Sequence, residues 1–158
     1  MGNFSDFAQH MDWAGLIDLL LSVAAILLCL TVHETCHGLA ACALGDPTAK
    51  RLHRLSLNPL RHIDPFGALM MLVAGFGWAK PVPVDPRYFR KPKLGMAITA
   101  LAGPVSNLVM AYLALLLRAV LLAFYHPGSV LLEGIIGFCE TLAVLNVGLG
   151  IFNLIPFP

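Results

Sequence analysis

The sequence predicts an all-α membrane protein, built from three transmembrane helices with a short re-entrant loop, open to β pairing, between the first and second. Three observations predict it. Hydrophobic residues make up 58% of the 158 and charged residues 12%, about half the ~25% charge of a soluble domain. Mean hydropathy is +0.80, and the apolar residues gather into stretches long enough to cross a ~30 Å hydrocarbon core. Charge is confined as well: nine of the ten Lys and Arg lie between Lys50 and Lys93, with Arg118 the exception.

The first span covers residues 14–44, AGLIDLLLSVAAILLCLTVHETCHGLAACAL, and Gly45-Asp46-Pro47 stops it. The residues before it carry Asp6 and Asp12 and no basic cluster, so they do not read as a signal peptide. Residues 46–65 form a basic loop, in which His53 and His62 read as solvated. The apolar stretch 66–79, FGALMMLVAGFGWA, is too short to span as a helix, and its Gly67, Gly75 and Gly77 suit non-helical backbone. Such backbone is tolerated at membrane depth where protein or a wet cavity surrounds it. Residues 80–93 are rich in proline and positive charge; a second span follows from about 96 to 125, and a third from about 129 onward.

The positive-inside tendency places the N-terminus outside and the loops 46–65 and 80–93 in the cytoplasm of a multi-pass cell-membrane protein. The stretch 66–79 then dips in and returns to one face. A net charge of +1 implies no bulk attraction to nucleic acid. Cys29, Cys36, Cys42 and Cys139 read as reduced thiols acting as small apolar residues.

The chemistry lies in TVHETCHG, residues 31–38. On a helix, positions i and i+4 are about 40° apart around the axis, so His33 and His37 share a face and can bind one Zn2+. Glu34 is turned about 100° from His33, to the edge of that face, where a carboxylate serves as general base rather than ligand. Ionisable residues inside a span are costly and functional by default; a polar cluster gluing helices together is the alternative. Cys36 lies about 60° to the other side of His33, awkward for a third ligand within one turn. His37 on the first span, Asn107 on the second and Asn153 on the third fall toward one layer near the cytoplasmic side.

These motifs resemble the site-2 protease family of intramembrane zinc metalloproteases, in its compact prokaryotic branch. The resemblance runs from about residue 30 to the last: TVHETCHG, then LGDPTAKRLHRLSLNPLRHIDPFG (44–67), GWAKPVPVDPRYF (77–89), AGPVSN (102–107) and NLIPFP (153–158). It implies that His33 and His37 are zinc ligands and Glu34 the general base, with Asn107 and Asn153 facing substrate or transition state. It also implies that Gly75-Phe76-Gly77 belongs to a re-entrant β-loop that binds unwound substrate by strand addition, a mode that supplies new partners to exposed amides. Residues 80–86 either continue that loop in extended form or make a plain surface loop.

In the family, the last signature runs on to an aspartate that is the third zinc ligand, whereas the sequence here stops at Pro158. The resemblance therefore leads us to expect a single metalloprotease core domain, 1–158, lacking its C-terminal part, with weak zinc binding and little activity as it stands. The function expected is zinc-dependent endoproteolysis within the membrane, near the cytoplasmic face, on membrane-spanning substrates, in regulated intramembrane proteolysis. The alternative is an inactive binding or regulatory module that keeps the substrate groove. A metal transporter is disfavoured, since transporters usually spread ionisable groups over several spans. Oligomeric state is not legible in the sequence.

Overall fold

The structure is a computed structural model, and it describes residues 12–74, 78–126 and 128–155. Three long helices dominate it: α1 (Trp13–Ala43), α4 (Pro92–Ala123) and α5 (Val130–Leu154). Each is long and apolar enough to cross a membrane. Between α1 and α4 lie two shorter helices, α2 (Thr48–Arg51) and α3 (Pro65–Ala74), and two single 3-10 turns, Pro59–Arg61 and Pro86–Tyr88.

The ends of α1 follow from local chemistry. The Asp12 carboxylate accepts from the Gly15 amide at 3.0 Å, an N-cap bond. At the other end Gly45 has φ +104, and the Asp46 amide reaches back to the Ala41 carbonyl at 2.9 Å. A left-handed glycine followed by that long return bond is a Schellman stop. The spans run one to four residues off the expected boundaries, with α4 starting earlier because Pro92 suits the first helical position.

The three spans pack on one another, with α4 against α5 the most extensive interface and α1 held mainly by α4. Their core is small-residued: Ala25, Ala111, Ala114, Leu142 and Ala143 form one buried cluster. Small side chains let helix backbones approach closely, which is how spans associate when lipid is as apolar as leucine. The large apolar residues point outward, among them Tyr112, Val130 and Leu131.

The segment between the spans differs from expectation. Pro65–Ala74 is α-helical, where non-helical backbone was expected from residue 66 on. The reason lies in Asp64-Pro65: the Asp64 carboxylate accepts from the Gly67 amide at 2.8 Å and proline occupies the first helical position, a pairing that starts helices. Ten residues make about 15 Å of helix, half the hydrocarbon thickness, so α3 is too short to cross. Gly67 serves close approach, not non-helical backbone: a Cβ there would lie 2.2 Å from the Trp78 carbonyl oxygen. The β pairing among the described residues is one antiparallel bridge, Ile63 to Ala79. Gly75 and Gly77 lie outside the described residues.

Residues 79–85 are extended and run back across the C-terminal part of α1. Pro81 and Pro83 fix their own φ, and each pushes the residue before it, Lys80 and Val82, toward extended backbone. The Lys80 amide donates to the His62 carbonyl at 2.8 Å, and Arg54 donates to the Lys80 carbonyl at 2.7 Å. His62 is buried, 2% exposed, and not solvated as expected. Its Nε2 and the Thr35 hydroxyl both bond the Ser56 carbonyl, so the basic loop folds down onto α1.

Candidate metal centre

The two histidines of TVHETCHG meet at their tips. Their Nε2 atoms are 2.9 Å apart, and the rings stand edge to face with centroids 4.5 Å apart. His33 is 4% exposed. The helical i, i+4 spacing accounts for their shared face, and α4 supplies what orients them. His37 Nδ1 lies 2.7 Å from the Thr99 carbonyl oxygen, so it must carry the proton and donate, which leaves the lone pair on Nε2. His33 Nδ1 lies 3.1 Å from the Asn107 carboxamide.

Asn107 is wholly buried, and its Oδ1 has no partner while Nδ2 faces His33. A carboxamide can present either atom. Turned over, it gives Oδ1 a donor in His33 Nδ1–H, and the lone pair of His33 moves to Nε2. Two imidazole lone pairs then face each other at 2.9 Å, an arrangement that a cation beside them would hold together. That orphaned oxygen and the facing nitrogens fit a metal of the zinc type, for which neutral imidazole is a preferred donor.

Gly103 completes the cradle. A Cβ at this position would lie 2.5 Å from His37 Nε2 and 2.6 Å from His33 Cε1. The next residue, Pro104, has no amide hydrogen, so the Ala100 carbonyl loses its helical donor in the turn that carries Thr99. Sequence reasoning did not single out Gly103 or Thr99. The signal available for the glycine was its place in AGPVSN, four residues before Asn107.

Glu34, next to His33 in α1, reaches the extended stretch 79–85. Its Oε2 accepts from the Val82 amide at 3.0 Å. The structure thus brings His33, His37 and Asn107 together, with Glu34 next to His33 in α1 and bonded to Val82. It does not bring Asn153 to them: that side chain is exposed, and its amide donates to the Leu149 carbonyl of its own helix. The level of Asn107 on the third span is taken by Gly150, whose Cβ position is 3.5 Å from Asn107 Cβ. One turn earlier sits Asn146, wholly buried, with its Oδ1 unpartnered; the sequence reading passed over it. Among the described residues, no group of three or more His, Cys, Asp or Glu comes together to hold a metal. The four cysteines are all free.

No protein-family profile matches the chain, and no solved structure matches it. Relatives by sequence do. YwhC of Bacillus subtilis, assigned by name to the zinc metalloproteases, is 42% identical over 137 residues, which cover 86% of this chain and 63% of that protein. Rip2 of Mycobacterium tuberculosis, assigned in the same way, is 30% identical across 95% of this chain and 56% of its own. Rip2 of Mycolicibacterium smegmatis is 28% identical across 98% and 58%. The chain therefore spans about three fifths of the length of these curated relatives, and over most of its own length it is similar to proteins named as zinc metalloproteases.

Proposed function

We propose that this chain is the membrane-embedded core of a zinc-dependent endopeptidase of the site-2 type, cleaving membrane-spanning substrates near the cytoplasmic face. One observation carries the reading. Two imidazoles present Nε2 to Nε2 at 2.9 Å inside a three-span bundle, each tied at Nδ1 by α4, with a carboxylate one residue from the first. The relatives' names agree with it.

His33 and His37 would hold the zinc. When bound, zinc supplies Lewis acidity for a substrate carbonyl and brings the pKa of water toward 7. Glu34 takes the proton of the attacking water and delivers it to the departing amine nitrogen, so that one carboxylate acts first as base and then as acid. The Val82 amide holds that carboxylate by one oxygen and leaves the other for the proton. Asn107 fixes His33, and in this reading its buried carboxamide faces substrate or transition state. The bilayer and the packed spans exclude bulk water, which strengthens each of these interactions. Substrate would enter as an unwound segment and pair with the stretch around Gly75 and Gly77. The basic loops 46–65 and 80–93 face the cytoplasm, and the N-terminus lies outside.

The test is metal content and cleavage measured together on the full-length protein in nanodiscs, with a single-span reporter peptide and mass-spectrometric detection of products. Wild type should carry about one zinc per chain and cleave. Glu34→Gln should keep the zinc and cleave at least ~100-fold more slowly. Cleavage by Glu34→Gln near the wild-type rate ends the general-base assignment. Stoichiometric zinc with no cleavage by wild type would favour a binding module instead.

A further inference from the structure

Glu34 has a backbone partner, and the segment that supplies it is anchored far from the imidazoles. Between Lys80 and Asp85 only four residues carry an amide hydrogen, because Pro81 and Pro83 have none. Three of those four amides are committed, each to a different element: Lys80 to the His62 carbonyl at 2.8 Å, Val82 to Glu34 at 3.0 Å, and Asp85 to the Asp46 carboxylate at 2.7 Å. Arg54 adds donors to the Lys80 and Pro81 carbonyls at 2.7 and 3.3 Å.

Asp46 is the anchor at the far end. It is a carboxylate with 0% exposure, in the turn just past α1. One oxygen accepts from the Thr48 amide at 2.9 Å and from the Thr48 hydroxyl; the other accepts from the Asp85 amide. Both oxygens are used, on opposite sides, so an asparagine could keep one side only. Val82 lies over α1 between these anchors. Its amide sits on Glu34 and its side chain on Gly38, one helical turn later, where a Cβ would lie 3.1 Å from Val82 Cγ1. Gly38 is thus the gap that lets the strap come close enough to reach the carboxylate.

We propose that Asp46 is a positioning residue for the Glu34 general base, acting through the proline-stiffened strap Lys80–Asp85 whose Val82 amide holds that carboxylate. The inference rests on the protease reading for its catalytic consequence, and on the geometry alone for the coupling between Asp46 and Val82. With prolines on both sides of Val82, the strap moves as a stiff unit. Release at Asp85 therefore frees Val82, and Glu34 loses its fixed orientation while the imidazole pair, held by α4, keeps its own.

The experiment follows amide exchange at Val82 and Asp85 by NMR on the full-length protein in nanodiscs, labelled with nitrogen-15 valine and aspartate, alongside zinc content and steady-state kinetics. Asp46→Asn should speed exchange at Val82 roughly tenfold or more, since local opening sets that rate. It should lower kcat about 10- to 100-fold with KM changed less than about twofold, and leave zinc stoichiometry unchanged. Arg54→Gln, at the other end, should also speed Val82 exchange, and it serves should Asp46→Asn not fold. Arg87→Met, which breaks only the ion pair with the Asp85 side chain at 2.6 Å, should leave Val82 exchange as in wild type. Unchanged Val82 exchange in both Asp46→Asn and Arg54→Gln overturns the proposal, as does equal acceleration by Arg87→Met. A wild type that never cleaves overturns the protease reading while the exchange comparison still decides the coupling.

Discussion

Gly103→Ala is the substitution whose effect the geometry prescribes most directly. The added methyl would lie 2.5 Å from His37 Nε2 and 2.6 Å from both imidazole Cε1 atoms, where carbon contacts need about 3.5 Å or more. Neither ring can yield freely. His37 is tied to the Thr99 carbonyl at 2.7 Å and His33 to Asn107 at 3.1 Å, and both are on one rigid helix. The shift needed is close to 1 Å, and overpacking of that kind costs about 1–3 kcal/mol. Imposed on a pair that must present both Nε2 atoms to one ion, that cost falls mainly on metal affinity. It corresponds to zinc binding weakened about 5- to 150-fold. Competition with a chromophoric chelator on the full-length protein in detergent measures it. The control is Gly137→Ala, where nothing lies within 4 Å of the new methyl and helix propensity favours alanine by ~1 kcal/mol; affinity there should equal wild type. Unchanged zinc affinity in Gly103→Ala would refute the cradle, and with it the assignment of both imidazole tips to one metal.

The other predictions share this logic. His33→Ala should abolish stoichiometric zinc binding, read by elemental analysis after gel filtration; retained metal would remove His33 from the ligand set. Asn107→Ala should weaken zinc about 10- to 100-fold by freeing His33 Nδ1, while Ala100, on the same helix, should accept substitution by Ser with no change in metal content. Asp46 predicts a pH dependence. Burial raises its carboxyl, but the Thr48 hydroxyl and the Asp85 and Thr48 amides outweigh burial, so its pKa sits below the ordinary 3.8. A depressed folded value means that the stabilisation is complete above the unfolded pKa and is lost as pH falls through the folded one. Asp46→Asn should therefore be less stable than wild type at pH 7 by about 1.5–3 kcal/mol, with the gap closing below about pH 4; a gap independent of pH would show that the charge is not what matters.

What the sequence made legible was whatever a side-chain pattern encodes. Long apolar runs became the three spans, and the i, i+4 spacing became the imidazole pair. The Gly45 stop became a Schellman turn. Residues 66–79 were judged by their glycines, and the judgement missed the helix-starting chemistry of Asp64-Pro65 just outside the window. Asn153 shows a subtler miss. Asn146 and Asn153 are seven residues apart, about 20° around a helix axis, so the sequence selects the right face of the third span. The level is set by where α5 slides along α4, and that depends on small residues such as Gly150 meeting Pro104 and Asn107, which no one-dimensional pattern reports. His62 was misjudged for a related reason: its loop is basic, yet one carbonyl, Ser56, draws both Thr35 and His62 inward.

The groups that escaped the sequence reading have one property in common, and it has a physical cause. The partners of His33, His37 and Glu34 are a carboxamide, a backbone carbonyl and a backbone amide, from residues 74, 62 and 48 positions away. None is ionisable. Every further charge placed at this depth would add a desolvation cost of several kcal/mol. A site that must orient two imidazoles and a carboxylate inside a bilayer does so at least expense with neutral dipoles already present in the chain. Here the recruited backbone groups lie near prolines: Thr99 five residues before Pro104 in α4, and Val82 between Pro81 and Pro83. That is why AGPVSN and KPVPVD, rather than further acids or bases, stand opposite TVHETCHG.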